Sequence, residues 1–261
     1  MPKIKTGDIQ TYFEIHGAGE PLVFIHGLGS SGRDWQFQLP VFTPHFQVIT
    51  YDVRGHGQTD KPPGPYSVPM FADDLKALLD ALEIRKAHIV GISMGGMIAL
   101  QLTASYPDVV KSQAIVNSWA EHIPENFRQR MALFQRLVLF QAFSMRKIGQ
   151  IIAKKMFIKP EQEEIRQVFI DRWAENHKPS WMAASRGMLG WSVWDNLGGM
   201  NCPSLVIAAD EDYTPISTKE KFVALMPNAE LVVIEDSRHA TPVEKPEQFN
   251  QVLLNFLLSI R

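Results

Sequence analysis

The chain has 261 residues, 45% of them apolar, enough for a sizeable buried core built as one large domain or as a domain carrying an insertion. Its 26 Lys and Arg against 28 Asp and Glu leave a formal net charge of −2, with no broad basic field for nucleic acid and no acidic tail. The opening MPKIKTGDIQ lacks an apolar run of signal-peptide length, no stretch approaches the ~20 apolar residues of a membrane span, and the single Cys202 excludes an internal disulfide or a multi-cysteine metal site. The expectation is a cytoplasmic monomer or homodimer with no nucleic-acid or membrane partner.

From the N-terminus, two alternating runs at 3–5 and 9–15 flank Thr6-Gly7-Asp8 and predict a β-hairpin at a sheet edge. Short β-rich apolar runs follow at 22–25, 48–51, 88–91, 112–116, 205–209 and 231–234, mostly separated by helix-length intervals. That alternation predicts an α/β fold with a mostly parallel sheet flanked by helices. Phe71, Leu75, Leu78 and Leu82 at helical spacing predict a helix over 67–82, and 94–106, stopped before Pro107, and 246–258 read the same way. The interval between the strands ending near Val116 and starting near Leu205 is far too long for an ordinary crossover. It is read as an insertion of helices at 125–144, 146–157, 161–176 and 180–189, dividing the chain into a core, 1–118 with 196–261, and a helical cap, 119–195, placed after the sixth strand. Residues 119–195 hold five of the six Trp and five of the eleven Met. They suit either a small helical core or the apolar wall of a pocket.

Residues 89–98 read IVGISMGGMI, a serine between glycines at a strand-to-helix seam. Small neighbours permit a sharp turn that lifts Ser93 Oγ clear of the backbone, at the carboxyl end of a strand, where open α/β sheets place ligands. A serine hydroxyl becomes a nucleophile when a base takes its proton and a carboxylate orients that base. This turn leads us to expect the order Ser, acid, His, with acid and histidine on the loops after the last two strands. His239, in EDSRHA, is the one histidine of eight that follows the final strand. The penultimate strand runs into Asp210-Glu211-Asp212, where three carboxylates crowd a place for one.

Together, PLVFIHGLGSS, YDVRGHGQTDKP, VGISMGGMIALQLTASYPD, IAADEDYTP and EDSRHATPVEKPEQFN resemble the α/β-hydrolase fold superfamily, in its capped esterase, lactonase and C–C hydrolase branch, over essentially the whole core. The resemblance implies that the acid stands three residues after the small residue closing its strand, which is Asp212 counted from Ala209, with Asp210 the runner-up. Relatives whose acid follows the sixth strand would carry a carboxylate near Asn117-Ser118-Trp119, and none is there. It further implies an oxyanion hole of the Leu28 and Met94 N–H groups, each worth roughly 3–4 kcal/mol, and loop-bracing roles for Asp52 and Arg54. Trp119, Phe134 and Val138 are the candidate substrate contacts, and neither cofactor nor metal is expected. The implied activity is hydrolysis of small apolar carboxylic esters or lactones through an acyl-enzyme on Ser93. A serine nucleophile and a tyrosine-free 119–195 set aside haloalkane dehalogenases and epoxide hydrolases. Ala240 after His239, and Leu28-Gly29 after His26-Gly27, depart from the C–C hydrolase and perhydrolase-like patterns. Those readings stay as alternatives, beside a small-molecule receptor that keeps the catalytic residues.

Overall fold

The computed structural model describes residues 2–124 and 126–260, less the side chains of residues 129, 134 and 136. The chain runs β1 (Lys3–Thr6), β2 (Ile9–His16), β3 (Glu20–Ile25), α1 (Leu39–Phe42), β4 (Phe46–Tyr51), α2 (Val68–Ala81), β5 (Ala87–Ile92), α3 (Met94–Ser105) and β6 (Val110–Val116). Four helices follow, α4 (Phe127–Ala142), α5 (Met145–Met156), α6 (Glu163–Ala174) and α7 (Lys178–Gly187). The chain then closes with β7 (Ser204–Ala209), α8 (Ile216–Val223), β8 (Ala229–Ile234), α9 (Thr241–Glu244) and α10 (Pro246–Ser259). The expected first residue of α4, Glu125, lies outside the described residues.

The eight strands form one sheet in the order β1-β2-β4-β3-β5-β6-β7-β8. The hairpin pairs antiparallel with itself and with β4, and the other neighbours are parallel. Alternate side chains of each strand serve opposite faces. Val23, Ile25 and Ile89 join Phe71, Leu75 and Met97 of α2 and α3 in one core, while Leu22, Phe24 and Val90 join Trp35, Phe42 and Phe249 in the other. Because both faces are covered, the parallel strands read as continuous apolar runs. Helix α2 begins where the Ser67 side chain accepts the Met70 N–H at 3.3 Å, with proline in its first turn.

The chain places β4 on one side of β3 and β5 on the other, so strand order reverses between β3 and β5 and a crevice opens at their carboxyl ends. Buried side chains brace the loops beneath it. Asp52 accepts the Gly32 and Gln58 N–H groups at 2.8 and 2.7 Å, and Arg54 donates to Asp74 and Asp8. His26 Nε2 accepts the Val53 N–H at 3.0 Å. Burial lowers the pKa of His26 to about 4 and of its ring neighbour His56 to about 3.

Helices α4–α7 cover the crevice and carry their own apolar cluster, which includes Phe140, Ile148, Trp173 and Trp181. Helix α6 fastens to the loop after β3. Asn176 Nδ2 donates to Gly29 O at 2.7 Å, the Trp173 ring fills the space where a Gly29 Cβ would stand, and Arg172 pairs with Asp34 at 2.6 Å. Among the described residues, no helix is long and apolar enough to cross a membrane.

Candidate active site

Ser93 closes β5 and opens α3 with φ 55° and ψ −118°, a conformation that costs a non-glycine residue about 1–3 kcal/mol. Close approach on every side holds it there. A Cβ on Gly91 would strike the Gly95 carbonyl, and one on Gly95 would strike that of Ile25. The Ser93 N–H donates to Val116 O at 2.9 Å and the Ser118 hydroxyl to Ser93 O at 2.7 Å, which ties the turn to β6. The loop after β3 passes so near that a Gly27 Cβ would stand 3.5 Å from Ser93 Cβ. Leu28, next in that loop, lines the same cavity as Ser93. Met94 N–H, first in α3, has no intrahelical acceptor and lies at the positive end of the helix.

The loop after β7 brings Asp212 to His239, with Asp212 Oδ1 2.8 Å from His239 Nδ1. A carboxylate only accepts, so Nδ1 carries the proton and Nε2 accepts the Tyr213 hydroxyl at 2.7 Å. The Tyr213 ring lies over the imidazole, centroids 4.2 Å apart. Among the described residues, no hydrogen bond joins Ser93 Oγ to His239 in this arrangement. The neighbouring carboxylates point elsewhere: Asp210 accepts the Asp236 and Ser237 N–H groups at 3.1 Å each, and Glu211 pairs with Arg238 at 2.7 Å. Burial pushes the Asp212 carboxyl up, but His239, the Thr214 hydroxyl and the Lys219 charge outweigh it and hold it below the usual carboxylate value.

Ser93 and His239 both line a cavity of about 1420 Å³ between the strand ends and α4–α7. Leu28 and Trp119 line it too, with Phe140, Trp173 and Trp181 from the helices. Val138 is not brought there. On α4, residues 137, 139 and 140 line the cavity, while Val138 is 50% exposed, a correction that follows from the ~100° turn between successive helical residues, which an apolar-rich stretch does not phase. The Phe134 side chain lies outside the described residues.

Sequence reasoning missed two polar anchors. Asn117, fully buried with φ 43°, donates through Nδ2 to Arg238 O, His239 O and Thr241 Oγ1 at 3.1, 2.9 and 2.8 Å, and its Oδ1 accepts the Ala209 N–H at 2.8 Å. One side chain therefore laces together the loops after β6 and β8 and the end of β7. The other anchor is Lys219, whose side chain has no exposed surface and reaches Asp212 Oδ2 at 3.1 Å. The signal for Asn117 was its place directly after an apolar strand. Lys219, in the polar run ISTKEKF, carried none.

The family profile described as the alpha/beta hydrolase fold matches residues 20–246. The chain is similar to a putative carbamate hydrolase RutD of Yersinia enterocolitica, 32% identical over 95% of this chain and 92% of the relative. Among solved structures it is similar to Est816, described as an N-acyl homoserine lactone degrading enzyme, at 33% identity and TM-score 0.86 over 98% of this chain and 100% of the other. The enol-lactonase of Burkholderia xenovorans shares the fold, with TM-score 0.91 at 23% identity over 98% and 100% of the two chains. With sheet order, strand-to-helix turn and profile in agreement, the chain belongs to the alpha/beta hydrolase fold family.

Proposed function

We propose that this hydrolase cleaves carboxylic esters or lactones with apolar acyl groups through an acyl-enzyme on Ser93, with His239 as general base and Asp212 as its orienting acid. The observation that carries the reading is the 2.8 Å contact of Asp212 with His239 Nδ1, set in the same cavity as the Ser93 turn. His239 Nε2 takes the Ser93 proton as Oγ bonds to the carbonyl carbon, and the oxyanion turns to the Leu28 and Met94 N–H groups. The imidazolium then gives its proton to the leaving alkoxide as the C–O bond breaks. Water attacks the acyl-enzyme by the same route, releasing the acid and restoring Ser93. With a lactone both fragments leave as one hydroxy acid. The Tyr213 hydroxyl must leave Nε2 before the first step; the residue is 64% exposed.

Helices α4–α7 act in this proposal as a cap that keeps water from the reacting carbonyl and grips the acyl chain. The relative described as degrading N-acyl homoserine lactones supports the lactone class. A carbamate is the second reading, favoured by the putative carbamate hydrolase, because its carbonyl is open to the same attack. Turnover of p-nitrophenyl esters, N-acyl lactones and an aryl carbamate, each with graded chain lengths, separates these classes. Esters or lactones should turn over many times and faster with longer apolar acyl groups. Faster turnover of the carbamate would replace the substrate class, and a slow single turnover would mark a receptor.

A further inference from the structure

Lys219 presents three N–H donors to three acceptors: Asp212 Oδ2 at 3.1 Å, Thr214 O at 2.7 Å and Thr214 Oγ1 at 2.6 Å. The Thr214 hydroxyl also donates to Asp212 Oδ2, so that oxygen is held from two sides while Oδ1 faces His239. Lysine is seldom buried without a partner, and an apolar side chain would fill the same volume without the cost of desolvating a charge. The position therefore needs an explanation other than filling space.

We propose that Lys219 is a positioning residue for the hydrolysis, fixing the rotation of the Asp212 carboxylate that faces His239 and offsetting its charge. The inference rests on the reading of Ser93, Asp212 and His239 given above. A carboxylate with its charge unopposed favours the imidazolium. An ammonium 3.1 Å behind that carboxylate, in a site with no solvent to screen it, draws on the same charge. Burial lowers the Lys219 pKa from the usual lysine value, and Asp212 opposes that shift without cancelling it.

The other charged and titratable groups nearby have their own partners. Tyr213 sits on His239 Nε2, Glu211 pairs with Arg238, Asp210 takes the Asp236 and Ser237 N–H groups, and Asp236 is held by Lys159 and Lys245. His122 stands beyond Trp119, its ring centroid 5.4 Å from the indole's, and Glu220 and Lys221 of α8 are exposed. Among the described residues, Lys219 is the Lys or Arg cation in contact with Asp212.

The test is the pH profile of kcat/KM for Lys219→Met and Lys219→Gln, the second of which keeps amide donors but loses the charge. Both should move the acid limb to higher pH by about one unit and lower kcat by about tenfold, with KM within about twofold. A merely structural lysine would lower Tm and leave the limb in place, and that outcome overturns the proposal. If neither variant folds, NMR of the Lys219 ammonium in the unaltered protein decides: its signal should be protected from exchange and shift through the midpoint of the kinetic limb. A neutral amine, or a signal indifferent to that midpoint, overturns it. Asp212→Asn and His239→Ala are run in parallel. If they keep full activity, the catalytic reading itself fails, whereas their collapse beside an unmoved Lys219 limb discards the lysine proposal alone.

Discussion

The two halves of the site are built in different materials. Around Ser93 the backbone does most of the positioning: glycine contacts to the Ile25 and Gly95 carbonyls, a strained φ, and the N–H bond to Val116 O, with one side-chain bond from Ser118. Around His239 polar side chains do it, with Asn117 lacing the loops after β6 and β8 to the end of β7, Lys219 behind Asp212 and Asp210 under the turn at 236–237. A backbone device tolerates no added atom. A side-chain device fails by losing a bond, which leaves a fold standing and a reaction impaired.

The largest effects should come from the groups proposed to carry the reaction. Ser93→Ala should lower kcat by about 10⁴ or more in single-turnover assays, with the fold intact by circular dichroism. Asp212→Asn should lower it by about 10⁴, since the amide offers its NH₂ to Nδ1 and favours the wrong imidazole tautomer, as the same change does in a serine protease. Asp210→Asn and Glu211→Gln should stay within about tenfold. A collapse confined to Asp210→Asn would reassign the acid and leave Ser93 and His239 in place.

Next come substitutions that set the two materials against each other. Gly95→Ala pushes a methyl into the Ile25 carbonyl and should cost about 2 kcal/mol, roughly 5 °C in Tm by calorimetry. Asn117→Ala leaves the buried Ala209 N–H without its acceptor and frees two carbonyls, for about 2–3 kcal/mol. It should also lower kcat more than it raises KM. With such similar stability costs the kinetic split decides: an Asn117→Ala variant that raises KM and leaves kcat unchanged would erase the distinction.

Acid should weaken the frame beneath both halves. His26 and His56 have folded pKa values of about 4 and about 3, below the ~6.5 of an unfolded histidine. The unfolded chain therefore binds more protons between those limits. Stability is at its full value above pH ~6.5 and falls by about 1.4 kcal/mol per pH unit for each histidine as pH drops, until each folded value is passed. Tm from pH 7 to 5 should drop with uptake of up to two protons on unfolding; a flat Tm would show these rings are not held neutral. The smallest effect is at Tyr213→Phe. Removing a hydroxyl that competes for Nε2 should raise kcat/KM by up to about threefold, and a loss instead would give that hydroxyl a part in catalysis.

The same division of materials decides what could be read from the sequence. Strands in a sheet covered on both faces must be continuous apolar runs, so β3 to β7 stood out, and the glycines around Ser93 are enforced by backbone contacts. The count of three from Ala209, which the family resemblance implied, reached the carboxylate that lies beside His239. Asn117, Lys219 and Tyr213 were missed because a polar residue near a strand end resembles loop surface until the fold buries it. The facing of α4 was missed for a different reason. Its sequence FRQRMALFQRLVLFQA has apolar residues on several sides, and nothing local chooses Leu137 over Val138.

Ser93 follows a strand in the middle of the sheet, whereas His239 follows β8, the outer strand, paired on one side and less buried than β7. Edge elements open locally at lower free energy than the centre of a sheet. Mild denaturant should therefore inactivate the protein reversibly before the sheet melts: β8 amides lose hydrogen-exchange protection in step with turnover, while those of β5 keep it. Activity would then gauge the rim of this molecule, with Ser93 still folded at the centre while the loop that carries His239 returns.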